Sequence, residues 1–250
     1  MTQHLFALLG RSLQHSFSPT YYNSYFSYHN LKNHHYQTIE MDQISDLDKI
    51  ITLHPELDGF NVTSPFKEDI IPFLDTISPK AKEIGAVNVV KVNREEGSYT
   101  LHGYNTDYKG FEALLKQISK KSLMENQAII LGSGGASKCV QYVLNKKGIP
   151  FIVISRTAKK GCYSYEQLTR EIIQQHKIII NCTPLGIYPN IEEKPLIDYD
   201  GIGYHHILID LIYNPEETQF MKEGLMRSSQ ILNGMKMFLV QAEQTLKILL

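Results

Sequence analysis

"AIILGSGGASKCVQYVL", residues 128–144, runs an apolar strand into Gly132, Gly134 and Gly135 and then into a segment of helical periodicity. A strand, a glycine-rich turn and a helix in that order form the context in which a glycine fingerprint carries meaning. The glycines permit a tight turn, and the N–H groups at the helix start can hold a pyrophosphate. Ser137 stands where the fingerprint ordinarily has Gly or Ala, and glycines between a strand and a helix also serve as plain turn chemistry. The neighbouring segments favour the nucleotide reading. "FIVIS" (151–155), "KIIIN" (177–181) and "HHILID" (205–210) are short, continuous apolar runs, the pattern of parallel strands buried on both faces.

Upstream, the grammar is similar. "LFALLG" (5–10), "HYQTIEM" (35–41) and "LDGFNVT" (57–63) read as strands, separated by helical segments over 18–29 and 45–53. A hairpin follows, "AVNVVKVN" (86–93) and "SYTLHGYN" (98–105) joined by the polar turn 94–97, then a helix over 107–118 and a polar separator over 116–126. No internal repeat or low-complexity segment is present. The expected fold is α/β in two domains.

The end of the strand after the glycine turn bears on the choice of nucleotide. "FIVISRTAKKG" (151–161) offers Ser155, Arg156, Lys159 and Lys160 but no Asp or Glu, the residue that an NAD-binding unit uses for its ribose hydroxyls. Arg156 can stack on an adenine and pair with a phosphate, and Lys160 adds charge from the following turn. Single lysines on a solvated loop are common, but that reading leaves the missing acid unexplained. The expected cofactor is NADP.

Composition narrows the function classes. The chain has 250 residues, is 42% hydrophobic and 20% charged, and carries 25 basic against 26 acidic residues for a net charge of -1. This is an ordinary globular balance with no electrostatic footprint for nucleic acid or an anionic membrane. Three cysteines, Cys139, Cys162 and Cys182, lack CxxC spacing and read as reduced thiols. No basic leader and no membrane-length apolar run is seen, so the expected location is the cytoplasm. The ten histidines show no HExxH-type spacing, and no metal is expected. His34-His35 and His205-His206 read as surface or strand-edge residues.

Three loops hold the reactive side chains. In "GFNVTSPFKED" (59–69), Ser64 as N-cap and Pro65 at the first helical position place Lys67 in the first turn of a helix, where the macrodipole is unfavourable for an ammonium. "GYNTDYKGF" (103–111) puts Asn105, Thr106 and Asp107 at the junction of the two βα series, where a cleft between domains would open, although Thr106 or Asp107 is also an N-cap candidate. "LGRSLQHSFSPTYY" (9–22) presents Ser16 and Ser18 ahead of a helix, again as possible caps. Asn88 and Tyr213 have local turn readings, and Gln241 sits in an otherwise apolar terminal helix, where a buried amide requires a partner.

Taken together and in order, "HSFSP", "NVTSPFK", "GAVN", "GYNTD", "LGSGGAS", "SRT", "NCTPLGI", "DLIYNP" and "NGMKMFLVQA" resemble the successive signatures of the shikimate dehydrogenase family over nearly the whole chain. The resemblance implies that Ser16 and Ser18 hold the substrate carboxylate with Tyr213, and that Thr63, Asn88, Asp107 and Gln241 bind the ring hydroxyls. It implies Lys67 and Asp107 as the catalytic pair. Gly132, Ser133, Gly134, Gly135, Ala136, Ser155, Arg156, Thr157, Lys160, Leu211 and Gly234 would line the cofactor. The chain departs from the family pattern at Arg11-Ser12, at Ser155 where Asn is typical, and at Leu211 where Met is common.

These readings converge on a substrate domain of residues 1–105 with 234–250 and a Rossmann-like NADP domain of residues 106–233. The implied reaction is the reversible reduction of 3-dehydroshikimate to shikimate. Lys67 would donate and accept the proton while Asp107 orients the amine and the reacting hydroxyl. The expected partners are small molecules, with the chain a monomer or homodimer. Two rivals remain: an NAD-dependent quinate/shikimate dehydrogenase, which the missing acid after "FIVIS" disfavours, and a non-catalytic nucleotide sensor, which need not keep both Lys67 and Asp107.

Overall fold

The computed structural model describes residues 3–95, 97–156 and 161–250. The chain divides into two compact units, residues 1–106 with 242–250, and residues 107–241.

The first unit is built on a six-stranded mixed sheet of β1 (His4–Gly10), β2 (His34–Glu40), β3 (Leu57–Val62), β4 (Thr76–Ile77), β5 (Val89–Glu95) and β6 (Ser98–Tyr104), in the order β2-β1-β3-β5-β6-β4. β1 runs parallel to both β2 and β3, whereas the hairpin strand β5 is antiparallel to β3 and to β6. The helices of this unit are α1 (Ser18–Tyr28), α2 (Leu47–Leu53) and α3 (Pro79–Ile84). Alternation along the strands sends Leu5, Ala7 and Leu9 to one face, against Leu47, Ile50 and Ile51 of α2. Phe6 and Leu8 point to the other, against Tyr22 and Phe26 of α1 and Ala242, Leu246 and Leu249 near the C-terminus.

The second unit is a five-stranded, wholly parallel sheet of β7 (Ala128–Leu131), β8 (Phe151–Ile154), β9 (Ile178–Asn181), β10 (Ile207–Asp210) and β11 (Gln230–Leu232), in the order β11-β10-β9-β7-β8. Its helices are α4 (Asp107–Leu115), α5 (Lys120–Met124), α6 (Gly135–Lys147), α7 (Arg170–Gln175), α8 (Gln219–Met226) and α9 (Met235–Leu249), the last shared with the first unit. Ala128, Ile130, Ile178 and Ile180 face α4 and α6, while Ile129, Leu131, Ile179 and Leu208 face α7 and α8. Both faces of each strand are therefore apolar, which is why the sequence shows runs rather than alternation. Fully burying one such isoleucine contributes about 1.5–3 kcal/mol. The chain leaves β7 for β8 on one side and then crosses to β9 on the other, so the strand order reverses at β7, where the carboxyl ends open a ligand crevice in this class of sheet.

Several expectations are corrected. Residues 64–70 form turns, not a helix, and Ser64 is no N-cap. The Lys67 carbonyl accepts from Val87 N at 2.7 Å, and Ile71 N turns instead to Glu68 O at 3.1 Å, so no i→i+4 ladder propagates through Lys67. The helix expected over 107–118 ends at Leu115, the separator contains α5, and β11, α7 and α8 lacked a clear sequence signal. His206 is buried, its Nε2 3.0 Å from Ile173 O. No helix among the described residues is long and apolar enough to cross a membrane.

Candidate active site

The glycine turn after β7 has the geometry of an anion cradle. Gly132 adopts φ +105°, and a Cβ there would lie 3.2 Å from the Cys182 carbonyl carbon and oxygen. Left-handed backbone and close approach to the loop after β9 both require glycine. Gly134 is the extended N-cap of α6, and nothing lies within 4 Å of where its Cβ would stand. Gly132, Ser133, Gly134, Gly135 and Ala136 thus offer a side-chain-poor turn at the N-terminus of a 13-residue helix, an arrangement that fits a dinucleotide pyrophosphate. Ser137 is fully buried and accepts from Gln141 Nε2 at 3.0 Å, so the departure from the fingerprint is absorbed inside the helix.

At the end of β8, Ser155 places its Oγ 3.0 Å from Ser133 Oγ, which ties this loop to the glycine turn. Arg156 follows, exposed. It is near enough to Tyr165 for its charge to oppose the rise that burial forces on that phenol. Thr157 and Lys160 lie outside the described residues. On the far side of the sheet, Leu211 N donates to Asn181 O at 3.1 Å. A Cβ on Gly234 would fall 2.0 Å from Leu211 O, so only glycine allows the start of α9 to approach the loop after β10.

In the first unit, Thr63, Lys67 and Asn88 gather at the carboxyl ends of β1 and β3. Thr63 N donates to Leu9 O at 2.9 Å, Val62 N donates to Asn88 O at 2.9 Å, and Val87 is bonded to the Lys67 carbonyl. Lys67 is half-buried, while Asn88 is buried. Asn88 Oδ1 accepts from Thr106 N at 2.7 Å and its Nδ2 donates to Thr106 Oγ1 at 2.9 Å. Ser18 is the first residue of α1 and is buried; Ser16 Oγ accepts from Ser18 N at 3.3 Å. The N-cap position of that helix is Phe17, with no side-chain cap bond, and it is Ser16 Oγ, one residue earlier, that serves the N–H of the first helical residue.

Asp107, Tyr213 and Gln241 belong to the second unit. Asp107 opens α4 and is buried. Tyr213 packs against Phe238 with the rings tilted by 34° and their centroids 4.6 Å apart, and Gln241 lies half-buried within α9. Among the described residues no group of three or more His, Cys, Asp or Glu is placed to hold a metal ion.

A family model described as the shikimate dehydrogenase substrate binding domain matches residues 8–90. The NADP(+)-dependent shikimate dehydrogenase of Clostridium beijerinckii is 36% identical over 245 residues, covering 95% of this chain and 88% of its own. The chain belongs to the shikimate dehydrogenase family. Among solved structures, shikimate dehydrogenase 1 of Peptoclostridium difficile superposes with a TM-score of 0.86 at 36% identity, covering 99% of this chain and 91% of its own. The Thermus thermophilus enzyme, crystallised with NADP(H) and shikimate, superposes with a TM-score of 0.81 at 26% identity, covering 99% and 93%. Against the family pattern, Arg11 is turned toward Asp42 O, to which its Nη2 donates at 2.9 Å, with its guanidinium 5.7 Å from the Phe66 ring centre.

Sequence reasoning passed over a buried polar network in the first unit. Tyr36 OH donates to Asn61 Oδ1 at 2.8 Å, Asn61 Nδ2 donates to Asn88 O at 3.2 Å and to Thr245 Oγ1 at 3.4 Å, and Thr245 Oγ1 lies 3.2 Å from Thr106 Oγ1. It also passed over Asn181 and Asp210 in the second unit, both wholly buried. The cue in the sequence is one of position rather than period: Asn181 and Asp210 each end an otherwise apolar strand, and Asn61 is the penultimate residue of β3, positions where burial demands partners.

Proposed function

We propose that the chain is an NADP-dependent shikimate dehydrogenase that interconverts shikimate and 3-dehydroshikimate. The observation that carries this is the end-to-end similarity to curated NADP(+)-dependent shikimate dehydrogenases. The open glycine cradle at the head of α6 supports it.

When bound, NADP supplies the acceptor for the hydride that leaves the substrate carbinol carbon. The protein's part is to bind, orient and move the proton. Lys67 as a free amine takes the hydroxyl proton as the carbonyl forms, and as an ammonium it returns that proton in the reductive direction. Asp107 accepts a hydrogen bond from the reacting hydroxyl and orients the amine, so the two act as one unit. Ser16, Ser18 and Tyr213 donate hydroxyls to the substrate carboxylate, while Thr63, Asn88 and Gln241 read the ring hydroxyls. Gly132 to Ala136 hold the pyrophosphate, Ser155, Thr157 and Lys160 line the adenosine side, Arg156 pairs with the 2′-phosphate, and Leu211 and Gly234 face the nicotinamide. Residues 1–105 with 234–250 form the domain that chiefly serves the substrate, and residues 106–233 form the domain that chiefly serves NADP. That Cys139, Cys162 and Cys182 form no disulfide favours a reducing, cytoplasmic setting, with the chain acting as a monomer or homodimer.

Substitution of the lysine tests the reading. Lys67→Ala is expected to lower kcat for shikimate oxidation by a factor on the order of 10²–10⁴, with NADPH affinity retained. The same loss is expected for Asp107→Ala, and the double variant should lose far less than the product of the two, because groups that act as a unit are non-additive. Near-normal kcat in Lys67→Ala would refute the mechanism.

A further inference from the structure

The Asp210 carboxylate takes no part in the chemistry above, yet it is wholly buried at the carboxyl end of β10. Thr218 Oγ1 donates to its Oδ2 at 2.6 Å, while Asn181 Nδ2 at 3.1 Å and Ile212 N at 3.0 Å donate to its Oδ1. Asn181 extends the cluster, since its Oδ1 accepts from Thr183 N at 3.0 Å and Thr183 Oγ1 at 2.6 Å. Thr218 caps α8 by accepting from Met221 N at 3.3 Å. Residues 211–217 therefore leave β10 at Asp210 and return to the same carboxylate at Thr218. That loop carries Leu211 and Tyr213.

We infer that Asp210 is a positioning residue, which closes residues 211–217 into a fixed loop and so presents Leu211 to the cofactor and Tyr213 to the substrate carboxylate. This rests on the function proposed above. The chemistry favours a carboxylate over an amide, because each of the three groups hydrogen-bonded to it is a donor and an ionised carboxylate only accepts. Burial pushes the carboxyl up to about 6 even though the bonds from Thr218, Ile212 and Asn181 oppose the rise. Retaining an ionisable group at such a place is costly, and the loop it holds is the one that bears two site residues. Asn181 brings the loop after β9 under the same control.

The test is Asp210→Asn in the full chain, with three readouts. Hydrogen exchange of the 211–217 amides in the ligand-free protein should quicken. The Kd for NADPH, measured by nicotinamide fluorescence, should rise on the order of tenfold, within the 10²-fold that a 1 Å misplacement costs. KM for shikimate should rise more than kcat falls. Thr218→Val should reproduce the pattern and Thr218→Ser, which keeps the hydroxyl, should restore it; this pair decides the matter if Asp210→Asn does not fold. Unchanged loop exchange with wild-type NADPH affinity in a folded Asp210→Asn would overturn the inference, and so would a fall in Tm alone. A wild-type chain inert towards shikimate would instead refute the proposed function, leaving loop exchange and NADPH affinity to decide the role of Asp210.

Discussion

Arg156 stands exposed at the tip of β8 as the proposed partner of a 2′-phosphate, and residues 151–161 contain no acid to hold ribose hydroxyls. A charge-assisted bond of this kind contributes about 1.5–3 kcal/mol, so Arg156→Ala is expected to raise KM for NADP by at least about tenfold and to leave KM for NAD nearly unchanged. Steady-state kinetics with both nucleotides checks this, and equal effects would remove Arg156 from the cofactor choice. Lys67 shows how far a single position is readable. Its chemical promise was visible in the sequence, but its local structure was not: the helix that "SPFK" suggested is pre-empted by Val87 N, which takes the Lys67 carbonyl from a point 20 residues downstream. Contacts of that separation leave no trace in local propensity. Asn61, Asn181 and Asp210 were missed for a related reason, since a lone polar residue at a strand end gives no periodic signal even though its burial dictates several partners.

The glycines of the β7 turn and of α4 make opposite demands. Gly134 stands in open space, so Gly134→Ala is expected to change Tm little, while its methyl intrudes on the pyrophosphate cradle and weakens NADPH binding. A Cβ on Gly110 of α4 would instead lie 2.4 Å from Met237 O. Gly110→Ala should therefore cost about 1–3 kcal/mol, as overpacked cores do. Paired thermal melts and NADPH titrations separate the two, and a destabilised Gly134→Ala would contradict the open cradle. The parallel strands were plain in the sequence because both sheet faces demand apolar residues, which produces the unbroken runs at 128–131 and 178–180. The short edge strand β11 and helices α7 and α8 were less plain. β11 is exposed or half-buried, with the pattern e-i-i over three residues, and α7 has only Ile173 buried over six, too little to establish a period.

The two-unit, α/β organisation was readable because each strand-helix alternation states its own class, and because signatures of one family recur in order from residue 15 to residue 242. One whole-chain property follows from its buried ionisable groups. The Asp210 carboxyl rises from its ordinary 3.8 to about 6 on burial, so between those values the folded chain binds more protons than the unfolded one. This group's contribution to stability is then greatest at low pH and falls as pH rises through about 6. Relative to Asp210→Asn, the wild type should therefore gain in Tm as pH is lowered from about 7 to about 5, and a pH-independent difference would contradict the assignment. The activity of the intact chain is tested most directly by measuring kcat/KM for shikimate and for quinate, each with NADP and with NAD, by formation of reduced nicotinamide. Shikimate with NADP should exceed each of the other combinations, and no turnover of shikimate, or faster turnover with NAD, would contradict the account.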